Sequence, residues 1–163
     1  DPLNKRIDLL VEAFSFLPDL RLVIVGEGPE EKNLRKKAGK NIEFLGFQED
    51  VSLRRILQKA KGFIFAAIED FGIFPVEAMA CGTPVIALRE GGLRETVTEG
   101  LSGIFFEEAS ISSICEAIRL FEKQEFDPKI VRSQVEKFSK KRFQTEFREF
   151  VESRYEAFKR CML

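Results

Sequence analysis

Two carboxylate side chains, Glu69 and Glu77, flank a short loop in the stretch EDFGIFPVEAMACGTPVIA, which occupies residues 69–87. Gly72 lets the loop turn sharply. Pro75 suits the first turn of the helix that follows, because its missing N–H would have no partner there. The unpaired N–H groups at such a helix start attract anions, above all phosphates. Glu77 lies one turn or so into the helix, where it can accept hydrogen bonds from sugar hydroxyls. The stretch therefore predicts a site for a phosphorylated sugar compound.

Paired carboxylates also occur in glycoside hydrolases, where one acts as the acid and the other as the nucleophile. The placement of Glu77 on a helix beside bound phosphate favours hydroxyl binding instead. The sequence contains no histidine, which removes the commonest general base and the commonest zinc ligand. This absence argues against a nucleotide-sugar epimerase of similar architecture. A non-catalytic nucleotide-binding module is the alternative from another functional class.

Length and composition predict one compact domain over residues 1–163, with 44% hydrophobic and 33% charged residues. A net charge of −1 gives no reason to expect nucleic acid as a partner. No apolar run approaches the ~18 residues that a membrane span needs. The three cysteines are widely spaced and odd in number, which predicts buried thiols in a reducing, cytoplasmic compartment. The first residues, Asp1 and Pro2, suggest an excised domain.

Apolar runs bounded by glycine or proline alternate along the chain with helical patterns. Strands are predicted at residues 21–25, 42–45, 62–66, 85–88 and 103–106. Helices are predicted at residues 5–17, 29–38, 52–59, 75–80, 93–97, 111–122, 128–138 and 142–158. This order predicts an α/β fold: a Rossmann-like open parallel sheet with helices on both faces, followed by C-terminal helices.

Ligands bind at the carboxyl ends of the strands in open parallel sheets. Four segments of the chain fall at such ends, namely residues 26–28, 46–48, 68–72 and 89–92. Their convergence at one edge of the sheet predicts a single cleft rather than scattered sites.

The stretch at residues 69–87 resembles the E-x7-E element of the retaining, two-domain GT-B glycosyltransferases of family 4. Members often read E-x-F-G-x-x-x-x-E-A-x-A-x-G-x-P-V-I-A, and every fixed letter is matched here. Together with Gly91-Gly92 and Glu95-Thr96-Val97, the wording most resembles bacterial mannosyltransferases that build surface polysaccharides. The resemblance covers nearly the whole chain. It implies one half of a GT-B enzyme, the C-terminal domain that binds the nucleotide-sugar donor, with the N-terminal acceptor domain absent.

The resemblance also implies roles for the residues of this stretch. Glu77 is expected to bind the ribose of the donor. Glu69 is expected to contact the transferred sugar near the reacting carbon, which makes it the candidate catalytic residue. The backbone N–H groups of Phe71, Gly72 and Ile73 are expected to meet sugar hydroxyls or the phosphate.

Further donor-binding residues are expected outside the E-x7-E stretch. Lys5 lies in NKRIDLLVEAF, which resembles the family segment K-G-x-D-x-L-L-x-A-F, whose Lys contacts the donor diphosphate; Arg6 replaces the usual Gly. Gly26 lies in a turn similar to the family's V-G-x-G-P turn near the donor phosphates. A plain strand-to-helix turn is the equal alternative for Gly26, since the third Gly of a dinucleotide fingerprint is missing. The backbone of Phe47 and Gln48 is expected to meet the base.

The family further implies that the chain uses a nucleotide-diphosphate sugar as a substrate and retains the anomeric configuration. The likeness of the sequence to bacterial mannosyltransferases alone favours a mannose donor, and hence guanine over uracil as the base. No D-x-D pair occurs in the sequence, so neither a metal nor another cofactor is expected. A glycan or lipid-linked acceptor is expected on the missing domain, against which the final helices partly pack. That domain can also bring the protein to the inner membrane face. The chain alone is expected to bind the donor weakly and to transfer nothing.

Overall fold

The structure, a computed structural model, describes the backbone of residues 5–162 and the side chains of residues 5–160. Helices and strands alternate through most of this range. The helices are α1 Ile7–Ser15, α2 Glu31–Lys37, α3 Asp50–Lys59, α4 Ile73–Ala80, α5 Leu93–Thr96, α6 Ile111–Phe121, α7 Pro128–Ser133 and α8 Lys140–Met162. The strands are β1 Leu22–Ile24, β2 Ile42–Phe44, β3 Phe63–Phe65, β4 Val85–Leu88 and β5 Gly103–Phe106.

All strand pairs in the described part of the chain are parallel. β1 pairs with β2, so that Leu22 lies opposite Ile42, and a second sheet has the order β3-β4-β5. In that second sheet Val85 lies between Phe63 and Gly103. The α/β class, the parallel pairing and the flanking helices are therefore confirmed. The strands form two parallel sheets rather than the one continuous ladder that the sequence predicts.

Helices pack against the sheets in two separate apolar clusters. The first joins α1 and α6 to inward side chains of both sheets, including Leu22 and Ile86. The second joins α4, α5 and α7 to β4 through residues such as Val85 and Ala87. Successive β4 side chains alternate between the two clusters, as the period of a strand requires. This alternation places helices on both faces of the β3-β4-β5 sheet.

The helix predicted over residues 128–138 is interrupted. Asp127 caps its start by accepting a hydrogen bond from the Lys129 N–H at 2.8 Å. The helix ends at Ser133, whose hydroxyl donates to the Ile130 carbonyl at 2.7 Å, a local bond that competes with the helical ladder. A separate 3₁₀ turn then covers Glu136–Phe138.

The last helix, α8, carries an amphipathic stripe, but the aromatic side chains of that stripe lie exposed. Phe143 and Phe147 stack on one another with ring centroids 5.6 Å apart. The rest of the stripe includes Phe150, Tyr155 and Phe158, all solvent-exposed. Among the helices that the structure describes, none combines the length and the apolar character needed to cross a membrane. The packing of α8 against a further domain stays a prediction.

Candidate functional site

The loop between β3 and α4 places both acidic residues of the E-x7-E stretch. The loop leaves the sheet after Phe65 and ends at Gly72, the N-cap of α4. Gly72 has φ +81°, the left-handed conformation that glycine adopts without strain. Pro75 falls within the first turn of α4, as the sequence predicts. The first N–H groups of α4 have no partner inside the helix and are available to an anion.

A second turn, Gly91-Gly92, supports this loop from behind by backbone contacts. The Gly92 N–H donates a hydrogen bond to the Glu69 carbonyl at 2.8 Å. A side chain on Gly92 would overlap the Asp70 carbonyl and would come within 2.7 Å of the Phe71 Cα. Residues 89–92 are one of the four segments predicted to converge on the cleft, but no contact was predicted for Gly92 itself. The contact shows why two small residues are needed there.

Lys5, just ahead of α1, reaches the same loop across the sequence. Its ammonium group forms an ion pair with the Glu69 carboxylate, and their side chains are 40% and 23% exposed. The Lys5 Nζ also lies 5.5 Å from the ring centroid of Phe65 and 5.6 Å from that of Phe74. The structure thus brings together a predicted phosphate ligand and the predicted catalytic carboxylate. Neither aromatic contact was predicted.

The loop at residues 68–73 lines an open cavity of about 420 Å³. Phe71 is held by an edge-to-face contact with Phe138, with ring centroids 5.2 Å apart. Ile73 is exposed at the first position of α4. Glu77 is exposed on the next turn of α4, in keeping with a side chain that meets a ligand from solvent.

Gly26, Phe47 and Gln48 form a second group, at the carboxyl ends of β1 and β2. The Gly26 N–H donates to the Gly46 carbonyl at 2.8 Å, which ties the two strand-end turns together. The Phe47 N–H reaches a carboxylate oxygen of Glu27 at 3.4 Å, and the Gln48 amide donates to the Leu45 carbonyl at 2.9 Å.

No hydrogen bond or ion pair within residues 5–160 joins the Gly26 group to the Glu69 group. Each of the two groups lies at the carboxyl ends of its own sheet. A ligand that touches both must therefore extend from one sheet to the other.

A larger open groove, of about 490 Å³, lies along the beginnings of β1 and β2. Both of its arginines are held in ion pairs: Arg21 pairs with Glu43 inside the groove, and Arg35 pairs with Glu31 outside it. Since parallel α/β sheets bind ligands at the carboxyl ends of their strands, we assign the site to the cavity at residues 68–73.

Three further groups in the described part of the chain have altered proton affinities. Hydrogen bonds to Glu99 and Glu107 raise the pKa of Arg89. Arg89 holds both Glu99 oxygens, at 2.6 and 2.7 Å, so it braces the end of the sheet rather than facing a phosphate. Burial raises the pKa of the Cys81 and Cys115 thiols, which favours their neutral form. The third cysteine, Cys161, lies outside the described side chains.

The described chain is therefore a parallel α/β domain with an acidic loop at its strand ends. The family model described as "Glycosyl transferases group 1" matches residues 2–142. The chain belongs to this family.

Curated relatives come from distant organisms. An uncharacterized glycosyltransferase of Methanocaldococcus jannaschii is 31% identical over 143 residues, which cover 85% of this chain and 40% of that protein. A GDP-mannose-dependent mannosyltransferase of Corynebacterium glutamicum, named for a monoacylated phosphatidylinositol monomannoside, is 34% identical over 126 residues. That match covers 71% of this chain and 33% of the relative. The chain therefore spans well under half the length of these relatives.

Solved structures show the same fold. A lipopolysaccharide outer core galactosyltransferase superposes with a TM-score of 0.78 at 18% identity, over 93% of this chain and 46% of that one. Sucrose-phosphate synthase from Thermosynechococcus elongatus gives a TM-score of 0.76 at 24% identity, over 94% and 43% of the two chains. Both are GT-B glycosyltransferases, so the fold expected from the E-x7-E stretch is confirmed.

Proposed function

We propose that this chain is the donor-binding half of a retaining glycosyltransferase that moves a hexose from a nucleotide-diphosphate sugar to a glycan or lipid-linked acceptor. The observation that carries the proposal is the ion pair between Lys5 and Glu69 beside the start of α4. The ion pair places the Lys5 ammonium group, proposed to bind the diphosphate, next to the Glu69 carboxylate, proposed to contact the sugar. The membership of the chain in the group 1 family supports the same chemistry.

In this proposal the donor lies across both sheets. The backbone at Phe47 and Gln48, with the turn at Gly26, takes the base end of the nucleotide. Glu77 accepts hydrogen bonds from the ribose hydroxyls, and the amides of residues 71–73 meet the phosphate or the sugar. The separation of the two residue groups, one on each sheet, suits an extended ligand with a diphosphate between its ends.

Charge development explains the roles of Lys5 and Glu69. As the bond from the sugar to the diphosphate breaks, negative charge grows on the leaving group and positive charge grows on the sugar. Lys5 and the helix start stabilise the diphosphate; the helix end alone contributes about 0.3–1 kcal/mol at an exposed site. Glu69 positions the sugar and stabilises its positive charge. The acceptor attacks from the face that the diphosphate leaves, so the configuration is retained.

These residues supply the stabilising charges without a metal ion. The proposal includes no bound metal or other cofactor, because the sequence has no D-x-D pair to hold one. Mannose is the favoured sugar, and guanosine diphosphate the favoured leaving group. The names of the mannosyltransferase relatives from Corynebacterium glutamicum and Mycolicibacterium smegmatis support this choice.

The acceptor belongs to the rest of the proposed enzyme. Because the chain spans only 40% of its relative from Methanocaldococcus jannaschii, we propose a preceding acceptor domain and a cleft between the two domains. That domain is expected to bring the enzyme to the inner face of the membrane for surface-polysaccharide synthesis. A cytoplasmic location fits Cys81 and Cys115, which are free thiols.

Calorimetric titration with guanosine diphosphate and uridine diphosphate tests the proposal. Glu77→Ala should weaken binding of the preferred nucleotide by about 10- to 150-fold, the equivalent of about 1.5–3 kcal/mol for hydrogen bonds to a charged group. Glu116→Ala, which removes an exposed glutamate from α6 on the other face of the sheet, should leave binding unchanged.

A wild-type protein that binds neither nucleotide at millimolar concentration, even as the full-length product of its gene, would contradict the proposal. Binding by the full-length protein alone would show that the missing half completes the site. Transfer activity in this chain by itself would contradict the division of labour between two domains.

A further inference from the structure

We infer that Phe74, together with Phe65, is a positioning residue that holds the Lys5 ammonium group at the site. The Lys5 Nζ lies within 5.6 Å of both ring centroids, and its charged partner is the Glu69 carboxylate. A lysine ammonium within about 6 Å of a ring centroid is attracted by the negative face of the ring. The inference rests on the proposed function, in which Lys5 meets the donor diphosphate.

The choice of rings rather than a second carboxylate has a chemical consequence. An aromatic face attracts a cation but carries no net charge, so it holds Lys5 without neutralising it. Glu69 is then the single anion in contact with Lys5 among the described side chains. An arriving diphosphate has to replace only that one partner. The rings continue to attract the Lys5 ammonium group while it exchanges the Glu69 carboxylate for the phosphate.

The two rings differ in what else they do. Phe65 is buried at the end of β3 and stacks on Phe63 at 6.2 Å, so it also builds the core. Phe74 is 50% exposed at the second position of α4. The family pattern leaves this position unspecified. Phe74 is therefore the residue whose replacement tests the inference without disturbing the core.

Replacing the ring while keeping its apolar volume gives the first test. Phe74→Leu should weaken binding of the preferred nucleotide about two- to fivefold in calorimetric titration, and Phe74→Tyr should restore it. Phenylalanines with one, two or five fluorine atoms at position 74 keep the shape of the ring but withdraw charge from its face. They should weaken binding in that order.

Phe16→Leu, at an exposed ring beyond the end of α1, is the matched control and should bind normally. Normal affinity in Phe74→Leu, or equal affinity across the fluorinated series, would overturn the inference.

A double-mutant cycle shows whether Phe74 acts through Lys5. In a Lys5→Met background, Phe74→Leu should have no further effect on nucleotide affinity, because the cation that the ring holds is gone. If Phe74→Leu has its full effect there, the ring contacts the ligand itself and the inference is wrong.

A measurement without any nucleotide separates this inference from the proposed function. Ring currents from Phe65 and Phe74 should shift the NMR resonances of the Lys5 Cε protons upfield, and Phe74→Leu should move them back toward those of exposed lysines. Unchanged Lys5 resonances would overturn the inference whatever the protein binds. A wild-type protein with shifted Lys5 resonances but no nucleotide binding would leave the ring contact established, while the donor role of the site would fail.

Discussion

Each of the two sheets carries one group of the predicted donor-binding residues, and the two sheets differ in strand pairing and in burial. β4 pairs with a strand on either edge, and all four of its residues are buried. Among the described strands, β1 and β2 pair only with one another, and each buries only its first residue, Leu22 and Ile42. β3 also has one partner and buries only Phe65, but its sheet continues through β4 to β5. A strand with one partner and partly exposed apolar side chains has fewer contacts to hold its end in place.

The two sheets also differ in the kind of group proposed to contact the donor: side chains at one sheet and the backbone at the other. Beside β3 and β4, the loop with Glu69 is fixed by the Gly92 hydrogen bond and by the contact of Phe71 with Phe138. Charged groups there are held before a ligand arrives, as stabilisation of a transition state requires. At the ends of β1 and β2 the expected contacts are mostly backbone groups. These need only an open strand-end turn.

Gly92→Ala should have the largest effect on stability and on nucleotide affinity, because it disturbs the loop beside the β3-β4-β5 sheet. Gly92 has an ordinary φ of −69°, so the whole penalty comes from the clash of the new Cβ with the Asp70 carbonyl and the Phe71 Cα. We expect a loss of about 1–3 kcal/mol in the free energy of unfolding, as for other overpacked sites. Nucleotide affinity should fall more than tenfold. Urea unfolding and calorimetry measure the two quantities.

Gly100→Ala provides the matched control. Gly100 has φ +78° with open space around it, so the substitution costs about 1–2 kcal/mol of backbone strain and touches no part of the loop. Its nucleotide affinity should stay at the wild-type value. If both variants lose affinity alike, general destabilisation explains the loss, and the loop is not fixed by Gly92.

Phe138→Leu should have an intermediate effect on the same side. It removes the edge-to-face partner of Phe71 at 5.2 Å, a type of contact that contributes about 0.5–1.5 kcal/mol beyond burial. Thermal unfolding should report a loss of stability of this size, and nucleotide affinity should fall by a smaller factor than in Gly92→Ala. Phe158→Leu, at a 59% exposed ring of α8, serves as the comparison and should change neither quantity. An unchanged Phe138→Leu protein would show that Phe71 is held by its own loop.

Apolar runs and turn residues in the sequence predict most of the β3-β4-β5 sheet. Residues 85–88 and 103–106 are apolar runs set off by glycine or proline, and both were predicted with the bounds that the strands have. The start of α4 follows from the conformational freedom of Gly72. The shortened α7 and the split between the sheets depend on hydrogen bonds and strand partners, for which a run of apolar letters gives no signal.

The contacts inside the site were less accessible from the sequence. The stretch at residues 69–87 pointed to Glu69 and Glu77, and resemblance pointed to Lys5. The approach of Gly92 to Asp70 and the ring of Phe74 beside Lys5 arise only when distant segments meet. Glycines and phenylalanines serve many purposes in a chain with 17 phenylalanines, so their types alone do not reveal such contacts.

Phe47→Ala, at the carboxyl end of β2, should have the smallest effect. The Phe47 side chain is 72% exposed, so its removal should change the free energy of unfolding by no more than about 0.5 kcal/mol. If the base is recognised by the backbone, nucleotide affinity should change less than twofold in calorimetric titration, whichever base is preferred. A loss of fivefold or more would show that the ring stacks on the base, and the division between a side-chain half and a backbone half would then be wrong.

Since Glu27 accepts a hydrogen bond from the Phe47 N–H at 3.4 Å, Glu27→Ala should leave that N–H free for the base, and nucleotide affinity should be at least as high as in the wild type. Weaker binding in Glu27→Ala would instead make this carboxylate part of the site.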